Sequence, residues 1–408
     1  MAPAGKAELM ALDPSRRAYR AEVAFDDDRP RPRGALVLVE AGRIVGVEDA
    51  DFPVPAGWEV TSLPGTTLLP GLIETHAHLC GDGGPRALEQ LPELTDAELD
   101  EIILRSLRTQ LVAGVTAVRD LGDARWAVLE RHRSHPDGPT VVASGPPVTT
   151  PGGHCWFMGG EAQGERALRD AVRERAERGA DVVKVMTSGG LMTATTDATT
   201  CQFSLDDLRL LVEAAHGAGL PVTAHAHAVA AVEQCLDAGV DGIEHGSCLT
   251  ASGFVTPAQL AERLAVSGVP VCPTLGRAPG VEPPPHVRAA MERTGTTWEG
   301  RLVQADDLYR AGVRLVSGAD SGISPNKPHG ILPYAVLDLV EIGATPAEAL
   351  ASATGAAADA CGLTPRTGRL RAGLDADLLL VDGDATTDIR ALTRVRAVVS
   401  RGRLVDPR

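Results

Sequence analysis

The chain has 408 residues, is 44% hydrophobic and 23% charged, and carries a formal net charge of -15 with a pI near 5.2. This is the composition of a soluble globular protein with a large core, and its acidity excludes nucleic acid or an anionic membrane surface as the main partner. No window reaches the roughly 18 uninterrupted apolar residues of a membrane span, and Met1–Asp13 lacks an apolar core of signal-peptide length.

Residues 1–65 read as short strands separated by turns: Ala21–Phe25, Gly34–Val39 and Arg43–Val47, the last preceded by a turn at Ala41-Gly42. The C-terminal 363–408 has the same character, with strands at Asp377–Val381, Val395–Val399 and Arg403–Val405. These two ends are expected to form one small composite β-sandwich domain, with residues 66–362 inserted between its halves. Within the insert, strands alternate with helices. The strands are the apolar run 67–73, then Gly114–Val118, Thr140–Ser144, Asp181–Met186, Pro221–His225, Gly242–His245, Val269–Thr274 and Val313–Ser317. The helices are Asp96–Ala113, Glu165–Arg178, one from the Ser204–Asp207 capping box to Ala218, Val229–Ala238, one capped at Thr256-Pro257, Arg301–Ala311, and one capped at Thr345-Pro346 and running to Ala360. Length alone suggests two or three domains, but an α/β barrel takes about 250 residues as one. Eight strands that each precede a helix or long loop imply parallel pairing and a (β/α)8 TIM barrel.

In such a barrel the chemistry sits at the C-terminal ends of the strands. The first strand ends in His76-Ala77-His78, which an extended chain places on one face, a half-site for a divalent metal. The fourth carries Lys184, the fifth ends in His225, the sixth in His245, and the eighth runs into Asp320. Lys184 is conspicuous because the chain has three lysines, Lys6, Lys184 and Lys327, among 39 basic residues. Where generic positive charge is needed, arginine supplies it, so a lysine inside an apolar strand calls for a chemical reason. The cysteines, Cys80, Cys155, Cys201, Cys235, Cys248, Cys272 and Cys361, are odd in number and lack CxxC spacing. They read as reduced thiols of a cytoplasmic protein.

Eight stretches carry a resemblance: Leu69–His78 (LPGLIETHAH), Gly114–Leu121 (GVTAVRDL), Gly152–His154 (GGH), Asp181–Gly190 (DVVKVMTSGG), Ala224–His227 (AHAH), Ile243–Gly246 (IEHG), Ala319–Gly322 (ADSG) and Gly373–Asp382 (GLDADLLLVD). In this order they resemble the amidohydrolase superfamily, in particular its imidazolonepropionase-like, prolidase-like and ochratoxinase-related branch. The resemblance implies two divalent metal ions, with zinc the expected metal. His76, His78 and Asp320 would hold one, His225 and His245 the other, and Lys184 would bridge them as a CO2-derived carbamate. An ammonium offers no lone pair, whereas its carbamate has two oxygens. The implied mechanism is attack by a metal-bridging hydroxide on an amide carbonyl, with Asp320 moving the proton to the leaving nitrogen.

The resemblance also places His154 and His227 toward substrate, with His227 an alternative ligand to His225. Trp156 and Phe157 are either an apolar wall of the site or loop anchors. Arg119 reads as structural rather than substrate-binding. Lys327 reads as a solvated surface lysine, with contact to a substrate carboxylate as the alternative. The expected activity is hydrolysis of a C–N bond in a small-molecule amide, such as an N-acyl amino acid or Xaa-Pro-like dipeptide. A lactam, imidazolone or xenobiotic amide is the alternative, and a non-catalytic scaffold on this fold the remaining one. A homo-oligomer is expected, because many relatives assemble.

Overall fold

The computed structural model describes residues 16–26 and 29–406, so Met1–Asp13 and Lys6 lie outside the described residues. Both ends of the chain contribute to a pair of sheets. One has four strands in the order Arg43–Glu48, Ala35–Glu40, Arg16–Ala21, Glu59–Ser62. The other has six, in the order Arg403–Leu404, Val395–Ser400, Leu378–Asp382, Thr66–Pro70, Val23–Asp26, Arg29–Arg31. Tyr19, Val37 and Ile44 of the first sheet share one apolar core with Ala24, Leu68, Leu380 and Val399 of the second. The strand expected over Ala21–Phe25 is two, because the chain changes sheets at Glu22.

The run 67–73 is also two strands. Thr66–Pro70 pairs with Leu378–Asp382, while Leu72–Ala77 pairs in parallel with Val115–Asp120. The expected boundary at 65/66 therefore falls one strand early. Gly71 makes the crossing: its N–H donates to Asp377 O, Leu72 N donates to Gly114 O, and a Cβ at Gly71 would lie 2.1 Å from Thr116 Oγ1.

From Leu72 onward the parallel pairing runs in a ring. Val115–Asp120 pairs with Thr140–Ala143, Val148 bridges to Val185, Val183–Met186 pairs with Val222–Ala228, and that strand with Gly242–Thr250. Gly242–Thr250 pairs with Val271–Cys272, Val271 bridges to Leu315, and Ser321 bridges back to Ala77. The strands are near-continuous buried runs such as Val-Thr-Ala-Val-Arg-Asp over 115–120, as parallel strands covered on both faces require. Helices Asp96–Val112, Glu165–Glu177, Leu205–Gly217, Val229–Ala238, Ala258–Ser267 and Trp298–Arg310 follow in alternation. Reciprocal capping boxes at Thr95/Glu98 and Thr345/Glu348 start two of the helices. Ala258–Ser267 has no side-chain cap; the Thr256 hydroxyl instead accepts from Gln304 Nε2 at 3.2 Å.

The helix begun at Thr345 stops at Ser352 and resumes as Gly355–Ala360, although one continuous helix is expected. Its would-be acceptors are taken: Ser352 O accepts from Ser317 N and Ala353 O from Ile73 N, both at 2.8 Å. Among the described residues no helix is long and apolar enough to cross a membrane.

Candidate metal centre

His76 and His78 stand on one side of the first ring strand, with ring centroids 5.4 Å apart. Asp320 Oδ1 lies 3.2 Å from His78 Nε2 and 3.4 Å from His76 Nε2. On the far side of His76, Nδ1 lies 2.8 Å from Glu244 Oε2. A carboxylate there assigns the proton to Nδ1 and leaves the Nε2 lone pair facing inward. Lys184 Nζ, fully buried, is 3.4 Å from the same Nε2. His78 has the room it occupies because residue 122 is glycine: a Cβ there would meet His78 Nδ1 at 2.4 Å.

His225, His227 and His245 form a second group, with centroid separations of 4.4–4.6 Å. His225 Nε2 lies 3.1 Å from Gly189 O, a contact that makes it a donor and leaves Nδ1 as the lone-pair atom. His245 Nδ1 lies 2.9 Å from Thr274 Oγ1. On a regular strand Glu244 and His245 would face opposite sides. His245 has φ 67°, which breaks the alternation, so Glu244 reaches His76 while the His245 ring lies 5.2 Å from the His76 ring. Thr274 (φ 50°) and Asp320 (φ 58°) are also left-handed. Each such residue costs about 1–3 kcal/mol and persists only where its surroundings hold it.

At five of these histidines burial favours the neutral imidazole, the form that binds metal. It pushes His76 down to about 4 and His154 and His227 to about 3, and His225 and His245 are held well below the usual histidine range. Burial likewise lowers the Lys184 amine. For Asp320 burial alone would raise the carboxyl, and the Lys327 ammonium opposes it. Burial would likewise raise Glu244, but the Arg119 guanidinium and the His76 Nδ1–H hold it well below the usual carboxylate range.

His76, His78, Lys184, His225, His245 and Asp320 all border one small space of about 20 Å³, with His154 at its edge. That is room for ions and water, not for the body of an organic substrate. Asp320 Oδ1 is buried without a hydrogen-bond donor, as a ligand atom awaiting a cation would be. The residues present thus fit a metal. His227 falls within 4.8 Å reach of His225 and His245 as a third possible ligand, but it does not border the small space. It lines instead, with His154, a neighbouring cavity of about 180 Å³ walled by Leu249, Phe254, Met291 and Trp298. The two histidines expected near substrate are therefore together there. His154 is anchored by Thr193, whose hydroxyl lies 2.9 Å from its Nδ1. A larger cavity of about 730 Å³ opens among Arg133, Arg314 and Asp359, contains none of the histidines, and is not the chemical site.

Arg119 is buried and donates to Glu244 Oε1 at 2.9 Å and to Thr75 O at 2.8 Å, and it does not line the 180 Å³ cavity. Arg119→Met should leave the Glu244 carboxylate buried without its cation. The expected cost is about 3–5 kcal/mol in chemical denaturation; an unchanged midpoint would contradict this pairing. Lys327 departs from the surface expectation: it is half-buried and its ammonium is engaged by main-chain carbonyls. Trp156 and Phe157 pack on each other at 6.1 Å and do not line the 180 Å³ cavity. Cys80, Cys155 and Cys272 are buried, and burial raises all three thiols, Cys155 to about 12. They are therefore poor nucleophiles. Glu244 is not among the residues the sequence singles out, although a carboxylate inside an apolar strand is as unusual as Lys184.

A profile of the Amidohydrolase family matches residues 67–405. The chain is 26% identical over 409 aligned residues to ochratoxinase of Aspergillus niger, covering 91% of this chain and 82% of that one. It is 29% identical over 372 residues to an uncharacterized protein of Mycobacterium tuberculosis, covering 88% and 89%. A prolidase solved in complex with N-methylphosphonate-L-proline superposes with a TM-score of 0.83 at 26% identity, over 96% of this chain and 99% of that one.

Proposed function

The chain belongs to the amidohydrolase family, and from that premise we propose that it cleaves the amide bond of a small molecule such as an N-acyl amino acid or Xaa-Pro-like dipeptide. The family match and its hydrolase relatives support a hydrolytic enzyme acting on carbon–nitrogen bonds. The closed ring of parallel segments supports a (β/α)8 barrel, and the two sheets with one core support a composite β-sandwich beside it.

The observation that carries the reading is the 20 Å³ space bordered by five histidines, one lysine and one aspartate. His76, His78 and Asp320 would hold one divalent ion, His225 and His245 the other, with the Lys184 carbamate between them. Zinc suits a set this rich in imidazole. Such ions supply Lewis acidity toward a carbonyl oxygen and acidify water. The neutral amine that burial favours at Lys184 is the form that adds to CO2, releasing one proton and leaving an anion with two oxygens.

The remaining work belongs to side chains. Asp320 Oδ1 takes a proton from the attacking water and passes it to the leaving nitrogen as the C–O bond forms and the C–N bond breaks. His154 and His227 orient the amide from the side of the 180 Å³ cavity, whose apolar wall takes the body of the substrate. A relative named a prolidase and solved with a phosphonate of L-proline supports an amide next to an amino-acid portion. A homo-oligomer in the cytoplasm is the accompanying proposal.

The test is a panel of N-acyl amino acids, Xaa-Pro dipeptides and lactams offered to zinc-loaded and chelator-treated protein. Turnover of the linear amides by the loaded form alone is expected. Turnover confined to lactams, or unaffected by chelation, would contradict the reading.

A further inference from the structure

Lys327 and Lys184 are the only lysines among the described residues. Lys327 Nζ donates to Thr274 O at 2.5 Å, to Ala319 O at 3.0 Å and to Leu275 O at 3.4 Å. An ammonium has three protons, and all three are used. Among the described residues no carboxylate lies within ion-pair distance of Nζ. The Trp298 ring, 5.7 Å away, lies against it. A solvated lysine would not be held this way, and a substrate carboxylate would have to take a donor from one of the carbonyls.

Those carbonyls belong to different ring segments. Thr274 and Leu275 follow the seventh strand, Val271–Cys272, whereas Ala319 immediately precedes Asp320 in the eighth segment. Between these two segments the pairing is a single bridge, Val271 to Leu315, so the sheet itself does little to fix their ends. Both ends are also strained: Thr274 and Asp320 have positive φ. Each end serves a different half of the centre. Asp320 faces His76 and His78, and Thr274 Oγ1 contacts His245. Arg301 makes the matching tie one gap earlier, donating to His245 O at 2.7 Å and Pro273 O at 2.6 Å.

We propose that Lys327 is a positioning residue that sets the spacing of the two halves of the metal centre by drawing the main chain of the seventh and eighth segments onto one ammonium. It acts through Asp320 and through Thr274 and His245, not by touching substrate. Arg301 extends the tie to the sixth strand. This inference rests on the metal-centre reading given above.

The test is Co²⁺ binding to the full chain, by competition with a chelator and by the visible Co²⁺ spectrum, in wild type, Lys327→Met and Lys327→Arg. Loss of an outer partner of a metal site lowers affinity about 10–100-fold, and that loss is expected for Lys327→Met, together with an altered spectrum. Lys327→Arg, which keeps charge and donors, is expected to recover most of the affinity. A role in stability alone would lower the melting temperature and leave affinity and spectrum as in wild type, and that result would overturn the proposal. Wild type that binds no Co²⁺ would overturn the metal-centre reading and this inference together.

Should Lys327→Met fail to fold, the wild type still decides, because the chain has only three lysines. With ¹⁵Nζ-labelled lysine, one ammonium signal with slowly exchanging protons is expected to persist after zinc is added. Its loss or conversion to rapid exchange on zinc binding would overturn the proposal.

Discussion

Asp320→Asn is expected to lower kcat about 10³-fold, the middle of the range for a positioned general acid–base group, while most of the bound metal remains. The amide keeps the shape of the side chain and one oxygen for the contacts at 3.2 and 3.4 Å to His78 and His76. What it loses is the ability to take and return a proton. The effect should therefore fall on kcat with KM little changed, since Asp320 is asked to move a proton and not to hold the substrate. The measurement is steady-state kinetics beside elemental analysis of the same preparation. Near-normal turnover with full metal would remove Asp320 from the proton path. Equal loss of metal and activity would make it a ligand only.

Lys184→Met is expected to be as damaging by a different route. Methionine fills nearly the same volume in a fully buried position, so the ring should still fold. Replacing a buried amine by an apolar group removes a desolvation cost, and the melting temperature of the metal-free protein should hold or rise. The variant cannot form a carbamate, however, and the two histidine groups lose the anion proposed to lie between them. Bound metal should fall below two equivalents and turnover by about 10³-fold or more, on the scale of losing a metal-centred catalyst. The companion measurement uses wild type stripped of metal and reconstituted with zinc in buffer freed of CO2. It should stay inactive until bicarbonate is added. Full recovery without CO2 would show that Lys184 serves as a plain amine.

Much of this site was legible before any coordinates. The period of two along a strand puts His76 and His78 together, and they are. A lysine amid Val-Val-Lys-Val, in a chain that otherwise relies on arginine, marked Lys184, which is fully buried beside His76. The strand-end positions of His225, His245 and Asp320 brought them to the same small space.

The features that escaped have physical reasons. Glu244 should face away from its neighbour His245, and only a left-handed φ lets both reach the histidine cluster. Lys327 is held by main-chain carbonyls of segments distant in sequence, and carbonyls have no sequence signature. The run 67–73 carries one hydrophobic pattern but serves two sheets, because Gly71 alone permits the close crossing over Thr116. The helix begun at Thr345 has a sound cap and good helix formers. It breaks because ring strands take two of its carbonyls, a tertiary demand that local propensity does not register.

His76, His78, Lys184, His225, His245 and Asp320 are proposed to form one two-metal centre. Its most direct test is elemental analysis of the protein after equilibrium dialysis against zinc and bicarbonate. Two equivalents of zinc per chain are predicted; one equivalent or less would contradict the account.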